Sequence, residues 1–149
     1  MDADAKVFLD ASALFAAVVS ESGGARMILK LGEAGAVSLW VGAIALGEAD
    51  AALARKSPGS KARFALLLHQ ANVQVGQAAT PDALSLAGSV VDYAPDAQVL
   101  AEALAAGADY FVTLDKRHLL GNPRAGRLPF PVGTPGDFLA WYRERLASP

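Results

Sequence analysis

Two hydrophobic signatures take turns along this chain: short apolar runs of strand length, and longer stretches with apolar residues three and four apart. Residues 6–9 predict a short strand closing on Asp10. Ser12 then opens a helix with Leu14, Phe15, Val18 and Val19 on its apolar side. Gly23 and Gly24 begin a second helix with Met27, Ile28 and Leu31 on the buried side, ending near Gly35. Residues 37–41 predict the second strand and residues 43–55 the next helix. A Ser57-Pro58-Gly59-Ser60 turn leads into a helix over residues 61–71, with Leu66 and Leu67 buried. Residues 73–75 predict a third strand, and Thr80-Pro81-Asp82 has the cap-then-proline form of a helix start. Residues 130–132 predict the last strand, and Thr134-Pro135-Gly136-Asp137 opens a final helix carrying Phe138, Leu139, Trp141, Tyr142 and Leu146.

The most informative stretch is residues 94–116. Val99, Leu100, Ala103 and Leu104 give a helix with one buried face, Pro95 and Asp96 fill its first turn, and Gly107 ends it. Residues 110–114 then form an apolar, aromatic and β-branched run typical of a buried parallel strand, with Asp115 at its end. A helix joined to such a strand by a short connection is half of a right-handed crossover. The pattern as a whole predicts an α/β fold: a three-layer α/β/α sandwich around a mainly parallel sheet of about five short strands. The 149 residues fit one domain, residues 1–149.

Composition narrows the function. Hydrophobic residues make up 53% and charged residues 19%, which suits a compact fold and not a disordered chain. With no cysteine there is no disulfide framework, thiolate metal site or thiol nucleophile. No basic-then-apolar leader is present, and the most apolar window, residues 38–54, is interrupted by Gly42, Gly47, Glu48 and Asp50, so a cytoplasmic protein without a membrane segment is expected. A net charge of -2 exerts no global pull on nucleic acid, so such binding would rest on a local patch. Two patches qualify. One is Arg55, Lys56, Lys61 and Arg63 around the helical hairpin; the other follows Asp115 with Lys116, Arg117 and His118, then Arg124 and Arg127. His69 has no companion at ligand spacing, which argues against a histidine metal site.

Four acids stand out. Asp10 and Asp115 end strands, where open α/β sheets gather their chemistry, and Asp96 begins a helix at the same edge. Glu48 lies one turn after Ile44 on an otherwise apolar face and is expected to point inward. Each has a structural reading of its own: Asp96 as a first-turn acid favoured by the helix dipole, Asp115 as a cap, Glu48 as a border residue. Ser12 either caps its helix or orients Asp10. Taken together, the four would repel and raise one another's pKa unless cations neutralised them. Oxygen ligands without sulfur or imidazole favour Mg²⁺ or Mn²⁺, ions suited to phosphodiester hydrolysis.

These residues resemble the PIN-domain (PilT N-terminus) nucleases over almost the whole chain. Val7-Phe8-Leu9-Asp10-Ala11-Ser12 is similar to the first family motif, Glu48 sits where a family glutamate is expected, and Asp96-Ala97 through Thr113-Leu114-Asp115 is similar to the most specific segment. The Thr134-to-Leu139 step is similar to the close of PIN proteins that act as toxin components. The resemblance implies a Mg²⁺- or Mn²⁺-dependent endoribonuclease, often a homodimer, inhibited by an antitoxin encoded beside it. It assigns Asp10, Glu48, Asp96 and Asp115 as metal ligands and catalytic residues, with Ser12 and Thr113 as polar supports. Where the family usually has Thr after the first aspartate, this chain has Ala11. Two other readings are a PIN-like module that holds RNA or a protein without turnover, and a phosphatase of the haloacid dehalogenase type. The latter fold requires a second aspartate two residues after the first, where Ser12 stands.

Overall fold

The computed structural model describes residues 4–148. Five parallel strands form one sheet in the order β3-β2-β1-β4-β5, with β1 at Lys6–Leu9, β2 at Ser38–Val41, β3 at Gln74–Val75, β4 at Tyr110–Val112 and β5 at Val132–Gly133. Between them run α1 (Ala11–Val19), α2 (Gly24–Glu33), α3 (Ala43–Lys56), α4 (Lys61–Gln70), α5 (Pro81–Val90), α6 (Ala94–Ala106) and α7 (Pro135–Ala147). The three-layer α/β/α sandwich predicted from the sequence is the observed architecture.

The period-two alternation of the central strands sorts the core onto two faces. Val7 and Leu9 of β1 point, with Leu39, Val41, Tyr110 and Val112, toward α1, α2, α4 and α7. Phe8 points to the other face, where its ring stacks on Phe111, 5.8 Å between centroids, under α5 and α6. β1 lies between β2 and β4, with Val7 in register with both Leu39 and Tyr110. The chain therefore builds outward from β1 first to one side and then to the other. The carboxyl ends of β1 and β4 flank this reversal, the place where an open α/β sheet leaves a crevice.

Some expectations are corrected. The last strand is Val132–Gly133, not residues 130–132, because Pro129 and Pro131 around Phe130 have no N–H to offer a ladder. Phe130 is buried against Phe111 instead. Leu66 of α4 is exposed and Phe64 supplies the buried contact; Met27 of α2 is likewise exposed, beside a buried stripe of Ala25, Ile28 and Leu29. Val19 of α1 is exposed as well. Among the described residues no helix is long and apolar enough to cross a membrane.

Candidate active site

Asp10 leaves β1 and is itself the N-cap of α1, its Oδ1 accepting from the Ala13 N–H at 3.0 Å. Ser12 is thus not the cap. Its hydroxyl donates to Asp10 Oδ1 at 2.6 Å and accepts from the Leu114 N–H at 3.0 Å. Thr113, fully buried, donates to Asp10 Oδ2 and accepts from the Asp115 N–H at 3.0 Å. The two hydroxyls therefore tie the end of β1 to the end of β4, fixing the strand-end aspartates relative to each other. Burial pushes the Asp10 carboxyl above the usual range, against the bonds from Ser12, Thr113 and Ala13 that favour its charged form; Asp115 nearby adds to the rise.

Asp96 arrives from the first turn of α6. Its pKa is raised to about 6, first by burial and then by repulsion from Asp115. His118 partly offsets this, with Nε2 3.8 Å from Asp96 Oδ2 and outside hydrogen-bond reach. Asp96 Oδ2 is buried and has no hydrogen-bond partner among the described residues. Such an atom is costly unless something else satisfies it. Asp115 Oδ1 accepts from the N–H groups of Arg117 at 2.9 Å and His118 at 3.3 Å, so it caps the turn after β4 while facing the same space.

Glu48 departs from expectation. The buried stripe of α3 is Ala45, Ala49 and Leu53, and Glu48 is exposed, turned with Ala51 and Ala52 into a cleft rather than into the core. Its carboxyl is raised by desolvation and then by the Asp10 charge. Asp10, Glu48, Asp96 and Asp115 all line this one cleft of about 770 Å³, although they come from four separate elements. Arg55 and Lys56 form part of its wall, with Lys56 Nζ 5.6 Å above the Phe15 ring. Val19 and Leu114 supply an exposed apolar lip.

The two halves of the basic hairpin separate. Lys61 and Arg63 do not line the cleft; they make exposed ion pairs with Asp50 at 3.5 Å and Glu21 at 4.0 Å. Lys116 and Arg117 do not line the cleft either; they border two other cavities, which Asp115 does not line.

The donor set fits a hard cation. Apart from the cationic Arg55 and Lys56, the polar side chains of the cleft are carboxylates and a hydroxyl, and one buried carboxylate oxygen lacks a partner among the described residues. Among the described residues no three His, Cys, Asp or Glu side chains already stand close enough to enclose an ion. Asp10 is held by three hydrogen bonds, whereas Glu48 is exposed.

One acid was missed from the sequence. Glu102 of α6 is buried and caps α3, whose N-cap, Gly42, has no side chain to do so. Its Oε1 accepts from the Ile44 N–H at 3.3 Å, and a Cβ at residue 42 would collide with its carboxyl. Glu102 thereby sets the start of the helix that carries Glu48. Its place three residues after Val99, on the buried face of α6, was the available signal.

The fold is a parallel α/β sandwich with four acidic side chains lining one cleft. The PIN-domain profile matches residues 6–117, and the chain belongs to that family of nucleases. No curated protein shows significant sequence similarity to it. Among solved structures it is similar to VapBC2 from Rickettsia felis, a structure bound to a DNA fragment from their promoter, at 13% identity and a TM-score of 0.60 over 86% of this chain and 98% of that one. It is also similar to PAE2754 from Pyrobaculum aerophilum, at 15% identity and a TM-score of 0.55 over 94% of this chain and 98% of that one. At these identities the likeness is one of fold.

Proposed function

We propose that the chain is a metal-dependent endoribonuclease acting as the toxin of a toxin–antitoxin pair. The observation that carries this reading is the convergence on one cleft of four carboxylates, two following β1 and β4 and two on α3 and α6, with the buried Asp96 Oδ2 lacking a partner among the described residues. Asp10, Glu48, Asp96 and Asp115 would hold Mg²⁺ or Mn²⁺, which supplies Lewis acidity and water activation for phosphodiester hydrolysis. Ser12 and Thr113 hold the two Asp10 oxygens in place, and Thr113 also accepts from the Asp115 N–H. Arg55 and Lys56 on one wall, and Lys116 and Arg117 beyond Asp115, would take the phosphates flanking the scissile bond. A net charge of -2 gives no global attraction to RNA, so binding depends on this local placement. The VapBC2 likeness supports a cognate antitoxin as the partner, and the resemblance to toxin components supports a homodimer.

The test is cleavage of a mixed RNA pool by the purified protein with Mg²⁺ or Mn²⁺, with EDTA, Asp10→Asn and Asp96→Asn as controls. Metal-dependent cleavage lost in both variants supports the nuclease. Equal inactivity of wild type and variants, with RNA or a partner still bound, would replace it with a binding module.

A further inference from the structure

Linked to the acidic cleft through His118, which lies 3.8 Å from Asp96, is a second cavity of about 460 Å³ lined by Asp92, Tyr93, Arg117, His118, Asn122 and Arg124 among others. Tyr93 stands three residues before Asp96, at the N-cap of α6, and makes no side-chain cap bond there. It is 51% exposed, although a ring of this size is an expensive apolar surface to leave in water. The ring is held in one orientation by stacking on His118, with centroids 4.8 Å apart and planes 14° from parallel. His118 in turn lies 3.8 Å from Asp96, so the aromatic pair abuts the carboxylates directly.

The floor of this cavity is rigid. Asn122 Nδ2 donates to the carbonyls of Val90 and His118, both at 2.9 Å, and its Oδ1 accepts from the Arg124 N–H at 2.8 Å. Arg124 is held over the cavity by the exposed Asp92, at 3.0 Å, an ion pair of the kind that contributes little and yields readily to a phosphate. Arg117 makes no ion pair among the described residues. A fixed π-face with guanidinium groups around it is the combination that grips an unpaired nucleotide: the base stacks while the cations take the phosphates.

We infer that the Tyr93–His118 stack, with Arg117 and Arg124, is a subsite for one unpaired nucleotide of a single-stranded RNA, next to the scissile phosphate. The base lies on the outward face of Tyr93, and stacking there tolerates any base, so the subsite selects unpaired RNA over duplex rather than one sequence. This rests on the nuclease reading for what lies in the adjoining cleft. The sequence showed the basic run after Asp115 but not the ring that faces it, which comes from the other end of the crossover.

The experiment is fluorescence anisotropy with a short fluorescein-labelled single-stranded RNA in EDTA, and with the same sugar–phosphate chain lacking its bases. Tyr93→Ala is expected to weaken RNA binding roughly 5- to 150-fold, the worth of one base–aromatic stack, and to leave the abasic chain's affinity unchanged. Tyr93→Phe, which keeps the ring, is expected to bind as wild type does. Should Tyr93→Ala lose its fold, Tyr93→Leu makes the same comparison with apolar volume kept. Unchanged RNA affinity in Tyr93→Ala, an equal loss for the abasic chain, or no RNA binding by wild type would overturn the subsite. Binding needs no turnover, so the two readings fail separately. An inactive protein with Tyr93-dependent binding refutes only the nuclease; an active one indifferent to Tyr93 refutes only the subsite.

Discussion

Removing the charge of Asp96 is expected to make the metal-free protein more stable. The folded carboxyl holds its proton up to about pH 6, against 3.8 ordinarily, because it is buried and faces Asp115. An acid with a raised folded pKa contributes destabilisation that grows as pH rises from the unfolded value to the folded one, then stays constant. At about 1.4 kcal/mol for each pH unit the gap corresponds to roughly 3 kcal/mol, which solvent screening of a side chain 22% exposed reduces to about 1–2 kcal/mol. Asp96→Asn keeps the shape without the charge. In EDTA at about pH 8 it should therefore raise the thermal midpoint by roughly 2–8 °C. At about pH 4, where the wild-type carboxyl is itself protonated in the fold, most of that gain should vanish. Circular dichroism melts of both proteins at the two pH values measure the difference. A variant less stable than wild type at pH 8, or an equal gain at both pH values, would refute the argument that Asp96 is a frustrated charge.

Other residues give further expectations. Thr113→Ala removes a donor from buried Asp10 and an acceptor from the Asp115 N–H; it should cost about 1–3 kcal/mol in urea unfolding and about 10- to 100-fold in metal affinity, while Thr113→Ser restores both. Glu102→Ala uncaps α3 and should cost about 1–2 kcal/mol, whereas Glu102→Gln, still an acceptor for the Ile44 N–H, should recover most of it. Arg55→Ala and Lys56→Ala should each reduce the salt slope of single-stranded RNA binding by about 0.7, and Lys61→Ala and Arg63→Ala, whose side chains lie outside the cleft, should leave it unchanged.

What could be read from the sequence and what could not divide along physical lines. Asp10 was legible because a short β-branched run must stop and the residue after it lies at the sheet's edge; Asp115 was placed at the same edge, although β4 ends at Val112, two residues earlier than the expected strand over residues 110–114. Asp96 followed from the antiparallel run of α6. Glu48 was placed on the right helix but with the wrong exposure, since alanines at Ala43, Ala45, Ala49, Ala51, Ala52 and Ala54 let more than one stripe of α3 pass for the buried one. The same alanine richness in α6 hid Glu102. Ser12 was ambiguous between cap and support because both roles use one hydroxyl; the cap fell to Asp10, which directly precedes the first helical residue, Ala11, whereas Ser12 already lies inside the helix. Lys61 and Arg63 share a charge run with Arg55 and Lys56, yet the turn at Ser57 to Ser60 points the two halves differently, and no local signal encodes that.

The central claim is that the four carboxylates form a binding site for a divalent cation. Titration of the purified protein with Mn²⁺ by calorimetry at about pH 8 tests it without any substrate. Saturable binding by wild type, weakened at least about tenfold in both Asp10→Asn and Asp96→Asn and weakening in wild type as the pH falls through about 6, is the predicted result. Equal affinity in wild type and both variants, or no binding at all, would contradict it.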